Sequence, residues 1–113
     1  MANVLVVEDD RAMGELIVEE LCDHGYTAQG ASDAATARRL LCAMDVDVLI
    51  TDIHLARDDG IALCRDAVQM DPELPVIIIT AFGSLETAVE AIRAGAYDYL
   101  TKPLSLDSLC MAV

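Results

Sequence analysis

Acidic side chains follow two apolar runs of the sequence. Glu8, Asp9 and Asp10 come directly after the first run, Val4–Val7, and Asp52 follows a later one. Carboxylates crowded at one place repel each other, so such a cluster requires shifted pKa values or a bound cation. Anionic oxygen ligands with no Cys or His pattern nearby favour Mg²⁺ over Zn²⁺. For Asp10 we favour a structural role as the N-cap of the next helix.

A hydroxyl group and a cation follow two further apolar runs. Thr80 comes directly after Val76–Ile79, and Lys102 is the only lysine of the chain and follows the last run. Phosphoryl transfer requires a carboxylate that accepts the group, a metal ion on the phosphoryl oxygens, and donors for the remaining charge. The residue types therefore predict phosphoryl chemistry at an aspartate, provided that the fold brings them to one place.

Five short apolar runs alternate with helical patterns. Three are nearly continuous and β-branched, as in parallel strands covered on both faces, and two are more mixed, as in edge strands. In chain order they are Val4–Val7, Tyr26–Ala28, Val46–Ile50, Val76–Ile79 and Tyr97–Leu100. The alternation predicts an α/β fold, a doubly wound five-stranded parallel sheet of flavodoxin-like strand order 2-1-3-4-5. Sites in such sheets lie at the carboxyl ends of the strands, where the acids, Thr80 and Lys102 stand.

Caps and stop signals mark the helices between these strands. The first helix carries an apolar stripe of Met13, Leu16, Ile17 and Leu21. The next three, with their predicted N-caps, are Ala34–Ala43 after Ser32, Ile61–Met70 after Asp59, and Leu85–Ala94 after Ser84. Gly25 and Gly95 follow the first and fourth helices as stop signals. The last pattern, Leu106 to Val113, breaks off, so we expect one domain over residues 1–113 with a truncated last helix.

The composition predicts a globular domain with a strongly acidic surface. The 113 residues include 20 Asp and Glu against 7 Lys and Arg, a formal net charge of −13. Such a surface repels phosphate backbones and anionic lipids, so we expect this chain to bind neither nucleic acid nor membranes. No apolar run approaches the ~18–20 residues of a membrane span. The four cysteines form no metal-binding motif, and we expect reduced thiols packed as small hydrophobic groups in a cytoplasmic protein.

Taken in order, the residues that carry the chemistry resemble those of the receiver domain of two-component response regulators. The matching positions are Asp9 after the first strand, Asp52 after the third, Thr80-Ala81 after the fourth and Lys102-Pro103 after the fifth. The resemblance covers essentially the whole chain. Residues 80–84 and 94–103 are most similar to the nitrogen-regulatory (NtrC-type) branch, whose members typically carry an ATPase domain and a DNA-binding domain after the receiver. The resemblance thus implies a phosphorylation-activated switch that regulates transcription through such domains.

The resemblance implies a role for each residue of the site. Asp52 would accept the phosphoryl group from a histidine kinase, and Thr80 and Lys102 would contact the phosphoryl oxygens. The Mg²⁺ ion would be bound by Asp52 and by Asp9, and through water by Glu8. A further ligand would be the backbone carbonyl of His54.

The resemblance also implies how the switch operates. Thr80 would move toward the phosphoryl group and Tyr99 would turn into the vacated space. The altered face, built from the fourth helix, fifth strand and fifth helix, would form a homodimer. The peptide bond between Lys102 and Pro103 would be cis. Phe82, two residues beyond Thr80, is expected to shield the acyl phosphate from water, whereas His54, two residues beyond Asp52, would position a water; both would modulate the dephosphorylation rate.

Two positions depart from the pattern of that family. Glu8 replaces the more usual aspartate and moves its carboxylate by one methylene. Ala56 stands where proline is common, so the loop after Asp52 is expected to be more mobile than usual.

Other functions on this sheet require residues that the sequence lacks. A Mg²⁺-dependent aspartyl-phosphate hydrolase or phosphotransferase wants a second acid two residues after its nucleophile, where His54 stands. A flavin phosphate would be repelled by the acids after the first strand. A degenerate docking module would not need an intact site. We therefore expect no enzyme beyond phosphorylation and dephosphorylation of its own aspartate, while a stand-alone or kinase-attached receiver with a protein–protein output stays open as an alternative.

Overall fold

Five parallel strands form the central sheet of the computed structural model, which describes residues 3–43, 45–52, 54–55, 58–80 and 85–101. For residues 54–55, 58–59, 80, 85–88 and 98–101 it describes the backbone alone. The strands are β1 (Asn3–Val7), β2 (Thr27–Ala31), β3 (Val48–Asp52), β4 (His54–Leu55), β5 (Asp58–Asp59), β6 (Val76–Thr80) and β7 (Asp98–Thr101). The helices are α1 (Arg11–Asp23), α2 (Ala34–Ala43), α3 (Gly60–Met70) and α4 (Leu85–Arg93).

The order of the main sheet is β2-β1-β3-β6-β7, which confirms the predicted doubly wound topology. All four strand pairings within it are parallel. β4 and β5 are two-residue segments that pair with each other in an antiparallel ribbon outside this sheet. Within the described ranges, every helix is too short or too polar to span a lipid bilayer.

The third strand begins two residues later than its apolar run predicts. In the ladder to β1, Val4 pairs with Val48 and Val7 with Thr51, and in the ladder to β6, Asp52 pairs with Ile79, so β3 spans Val48–Asp52. The preceding residues bind the start of β1 instead: the Asp47 carboxylate accepts the Asn3 backbone N–H at 2.7 Å, and the Asp47 N–H donates to the Asn3 carbonyl at 2.8 Å. Asp52 is therefore the last residue of a central strand, not a loop residue.

The sheet separates two apolar layers. The layer under α1 consists of buried residues of α1, β1, β3 and β6, namely Val4, Val6, Ile17, Leu21, Val48, Ile50, Ile77 and Ile79. The layer on the other face packs the alternate strand residues against α2, α3 and α4, and includes Leu5, Val7, Leu49, Leu63 and Ile78. Each fully buried Leu or Ile contributes ~1.5–3 kcal/mol, so both layers hold the central strands in register.

The N-caps of the helices agree with the sequence in part. Asp10 caps α1, because its Oδ1 accepts the Met13 backbone N–H at 3.2 Å. The prediction of Ser32 for α2 is wrong: Asp33 directly precedes the helix, and its Oδ1 accepts the Thr36 N–H at 2.7 Å. Because α2 begins at Ala34, the residue in the N-cap position is Asp33 and not the serine before it. Asp59 directly precedes α3, and Ser84 lies outside the described residues.

Helices α1 and α4 end in the same motif, and the predicted stop signals are confirmed. Gly25 and Gly95 have positive φ values of 91° and 101°. The Gly25 N–H donates to the Cys22 carbonyl at 3.1 Å, and the next N–H, of Tyr26, donates to the Leu21 carbonyl at 3.1 Å. At Gly95 the same two bonds are repeated at 3.0 Å each. This pair of bonds defines a Schellman motif, which requires a left-handed residue at its centre.

Two burial predictions are wrong for individual residues. Leu16 is 48% exposed, because Ile17 and Leu21, four residues apart, mark the buried line of α1 and Leu16 lies on its flank. Among the described thiols, only Cys64 is packed as a hydrophobic group, whereas Cys22 and Cys42, near the ends of α1 and α2, are exposed. Cys110 lies outside the described residues.

Candidate functional site

The register of the sheet aligns the predicted site residues at one edge. Val7 pairs with Thr51, so the residues that follow them, Glu8 and Asp52, lie side by side. On its other side Asp52 pairs with Ile79, which directly precedes Thr80. Because all these strands run in the same direction, their carboxyl ends form a single edge.

Three carboxylates converge at this edge. One oxygen each of Glu8, Asp9 and Asp52 lies within 4.8 Å of the other two. Opposite ligands of a Mg²⁺ ion stand about 4.2 Å apart at ~2.1 Å bonds, so one ion reaches all three groups directly or through a water. Hard anionic oxygens suit this ion, and it offsets the repulsion between the carboxylates. The cluster fits a magnesium site.

Burial differs among the three acids. Glu8 is 3% and Asp52 6% exposed, whereas Asp9 is exposed. Asp52 pairs with Ile79 of β6, the preceding Thr51 pairs with Val7 of β1, and the hydroxyl of Thr51 donates to the Asp52 carbonyl at 3.0 Å. A group on a central strand loses little freedom when it reacts, so Asp52 is the best positioned nucleophile of the cluster.

Glu8 is held by contacts that no pattern in the sequence predicts. Its Oε1 accepts the Asp10 N–H at 3.1 Å, and its own N–H extends the β1–β2 ladder to the Ala31 carbonyl at 3.1 Å. Gly14 of α1 faces it: a Cβ on Gly14 would lie 3.5 Å from the Cβ of Glu8. The sequence offered no signal for the contacts with Ala31 and Gly14, because these residues belong to other elements.

Of the remaining predicted site residues, the structure describes either the backbone alone or nothing. Thr80 is the last residue of β6 and pairs with Thr101 of β7, which directly precedes Lys102 in sequence. Tyr99 of β7 pairs with Ile78 of β6. The backbone of His54 pairs with Asp59. Ala56, Phe82, Lys102 and Pro103 lie outside the described residues, so the cis bond, the shielding and the phosphoryl contacts stay predictions.

A comparison with protein families matches nearly the whole chain to one of them. The profile described as "Response regulator receiver domain" matches residues 4–113. The transcriptional regulatory protein ZraR of Escherichia coli (strain K12) is 37% identical over 107 residues, 95% of this chain and 24% of that protein. For the C4-dicarboxylate transport transcriptional regulatory protein DctD of Rhizobium meliloti the values are 36%, 95% and 23%. The chain spans about a quarter to a half of the length of such curated relatives.

Solved structures share the fold over the full chain. A response regulator from Burkholderia pseudomallei "with a phosphorylated aspartic acid, calcium ion and citrate" superposes with a TM-score of 0.94 at 28% identity, covering 99% of this chain and 66% of that one. NtrX from Brucella abortus superposes with a TM-score of 0.91 at 38% identity, covering 98% of this chain and 26% of that one.

Proposed function

Because the chain belongs to the response regulator receiver domain family, we propose that Asp52 is its phosphoacceptor. Receiver domains are signalling switches, not classical enzymes, and their phosphodonor partner is a histidine kinase. The relatives ZraR, DctD and NtrX are enhancer-binding regulators of the NtrC type, which confirms the predicted branch. The observation that carries the proposal is the convergence of Glu8, Asp9 and Asp52 on one point at the carboxyl edge of the sheet.

The reaction assigns different tasks to these acids. One carboxylate oxygen of Asp52 attacks the phosphorus in line, and the new O–P bond forms as the bond to the donor breaks. A bound Mg²⁺ would neutralise charge on the phosphoryl oxygens. Asp9 and Glu8 would hold that ion, together with Asp52 itself and, by family resemblance, the carbonyl of His54.

Two further side chains complete the proposal by resemblance. The hydroxyl of Thr80 would donate to one phosphoryl oxygen and the ammonium group of Lys102 would pair with another. Support for these roles comes from the strand register, since Thr80 ends the strand beside Asp52 and Thr101 pairs with Thr80. Thr80 therefore reaches the edge where Asp52 lies, and Lys102 is the next residue in sequence after a strand that reaches the same edge.

Acceptance of a phosphoryl group is tested with a small phosphodonor. The chain is incubated with acetyl phosphate, with Mg²⁺ or with EDTA, and its intact mass is followed over time. We expect one phosphoryl group with Mg²⁺ and none with EDTA. Asp52→Asn should gain none, and Asp9→Asn should react more than about tenfold more slowly because it loses an anionic ligand.

A matched control keeps the charge change but leaves the cluster intact. Asp23→Asn alters an exposed carboxylate at the end of α1 and should react like the wild type. Incorporation into Asp52→Asn at the wild-type rate would show that another group is phosphorylated and would refute the assignment.

We further propose that phosphorylation alters a homodimer surface and, in a full-length protein, transcription. Support comes from apolar side chains exposed on and after α4: Val89 at 39%, Ile92 at 57% and Tyr97 at 69%. In amide-exchange maps with and without beryllofluoride, we expect changes at Thr80, α4 and Tyr99. Sedimentation velocity should show a larger dimer fraction with the phosphoryl mimic. Unchanged amide exchange at Thr80, α4 and Tyr99 while beryllofluoride fully occupies Asp52 would refute this switch.

The cytoplasmic location of the protein stays a prediction.

A further inference from the structure

A cavity of about 500 Å³ lies between α1 and the edge strand β2, away from the proposed dimer surface. We call it the α1–β2 groove. Its floor is apolar and includes Val6, Val18 and Gly30, and its rim along α1 carries Glu15 and Glu19. The rim glutamates and Gly30 are exposed, so the groove opens to solvent along the sheet edge.

The groove exists because β2 has a glycine where its neighbours would place a side chain under α1. Ala28, two residues earlier on the same face, packs against the apolar layer beneath α1. A Cβ at Gly30 would meet only one atom within 4 Å, the Cγ2 of Val18 at 3.7 Å. The site of a missing side chain is therefore open and lined by apolar groups.

The backbone of β2 offers hydrogen-bonding groups beside this space. Among the described strands, β2 pairs only with β1. The Ala31 carbonyl accepts the Glu8 N–H, so the peptide groups of Ala31 and Gln29 face β1. The backbone N–H and C=O of successive residues point to alternate sides of a strand. The N–H and C=O of Ala28 and Gly30 therefore point outward, away from β1. An outward edge of this kind is a template for a further strand.

We propose that the α1–β2 groove binds an extended peptide segment of a partner protein, which adds to β2 as a sixth strand. A side chain of the added strand opposite Gly30 points to the same face of the sheet and enters the groove, so it should be apolar. The side chains two residues before and two residues after it point to the same face, toward α1, and should be lysine or arginine. Glu15 and Glu19 line that rim, and the one cation among the groove residues is Arg11, which pairs with Glu15 at 3.4 Å.

Charge decides between this occupant and a second copy of the chain. Two copies paired through β2 would each bring a net charge of −13 and an acidic α1 rim to the contact. Like-charge juxtaposition of this kind disfavours association, whereas a basic segment is attracted to the same surface. The partner is therefore a basic and apolar strand of another protein.

The probe is the acetylated and amidated peptide Lys-Thr-Val-Thr-Lys, whose valine and two lysines point to one face of a strand. It is titrated against the chain by calorimetry and by amide exchange. We expect saturable binding that weakens at least tenfold between low salt and 0.5 M NaCl. Protection should rise at the outward amides of Ala28 and Gly30 and stay constant at Gln29 and Ala31. The same peptide with glutamate in place of lysine should not bind.

Variants separate the apolar and the charged parts of the groove. Gly30→Val fills the cavity while keeping a residue that suits strands, and should weaken peptide binding at least tenfold. The double variant Glu15→Lys with Glu19→Lys should do the same. The double variant Asp23→Lys with Glu73→Lys makes the same change in net charge at exposed positions outside the groove. Its affinity for the peptide should fall less than threefold.

Three results would overturn the proposal: equal binding by Gly30→Val and wild type, protection that does not alternate along β2, or protection of Ala28 and Gly30 that rises with protein concentration alone. The last result would identify a second copy of the chain as the occupant.

Discussion

The matched helix ends at Gly25 and Gly95 allow backbone strain to be separated from steric contact. Both glycines have a left-handed backbone and the same two capping bonds. An added Cβ at Gly25 would meet nothing within 4 Å. At Gly95 it would lie 3.1 Å and 3.2 Å from the two γ-methyl carbons of Val68 in α3. Alanine is therefore strained at both positions but meets a neighbour only at Gly95.

The expected costs follow from these contacts. A left-handed alanine costs ~1–2 kcal/mol, and about 0.4–1 kcal/mol is recovered because the unfolded chain loses freedom. Gly25→Ala should therefore lower the free energy of unfolding by about 1 kcal/mol. Gly95→Ala adds an overpacking cost of ~1–3 kcal/mol against Val68 and should lower it by about 2–4 kcal/mol.

Urea unfolding of the two variants, with Val68→Ala and the double variant Val68→Ala with Gly95→Ala, measures both terms. In the Val68→Ala background, which lacks the γ-methyl groups, Gly95→Ala should lower the free energy of unfolding less than in the wild type, by a difference of about 1 kcal/mol or more. The double-mutant cycle should therefore show a coupling between the two positions. Gly25→Ala in the same Val68→Ala background is the control and should show no coupling. Equal losses at Gly25 and Gly95, or no coupling with Val68, would refute the steric argument.

Three further predictions concern other parts of the fold. Burial raises the pKa of the Cys64 thiol from 9.0 to about 11, so at pH 8 iodoacetamide should label Cys22 and Cys42 in native protein and spare Cys64 until urea is added. Because the folded thiol keeps its proton longer than the unfolded one, this group should lower stability as pH rises from about 9 to 11; a Cys64→Ala control should lack that part of the decline. Gly14→Ala should raise the free energy of unfolding by about 0.5–1 kcal/mol, since alanine favours helices and its Cβ would stand at an ordinary 3.5 Å from Glu8; a loss of stability in urea would contradict this packing. Arg38 binds the Asp66 carboxylate at 3.0 Å between α2 and α3, and Asp66→Asn should cost up to about 1 kcal/mol at low salt and less in 1 M NaCl, a difference that an uncoupled pair would not show.

The topology was predictable from sequence because its signals are local and repeated. Val4–Val7 and Val76–Ile79 are continuous apolar runs, and runs of this kind form strands only where both faces are covered. Once the strand order followed, Asp9 and Asp52 had to approach each other, since parallel strands end at a common edge. The acidic cluster was thus a consequence of order alone.

What the sequence did not indicate depends on contacts between distant residues. The start of β3 is set by pairing with β1 and by the bonds between Asn3 and Asp47, so the apolar run from Val46 misplaced it by two residues. Asp33 and Ser32 are adjacent candidates for one cap, and only the helix geometry distinguishes them. The α1–β2 groove is lined by Gly14 of one element and Gly30 of another, a juxtaposition that no local pattern reports.

The central position of β1 has a consequence for the order in which the protein assembles. Val4 pairs with Ala28 of β2 on one side and with Val48 of β3 on the other. The first strand is therefore paired on both sides only after β3 has been added. Loop closure over such separations slows folding, and β1, α1 and β2 alone leave an edge that β3 later covers. Asp52 reaches Glu8 and Asp9 only at that step. Cation binding should therefore appear late in refolding, and added Mg²⁺ should slow unfolding more than it speeds refolding.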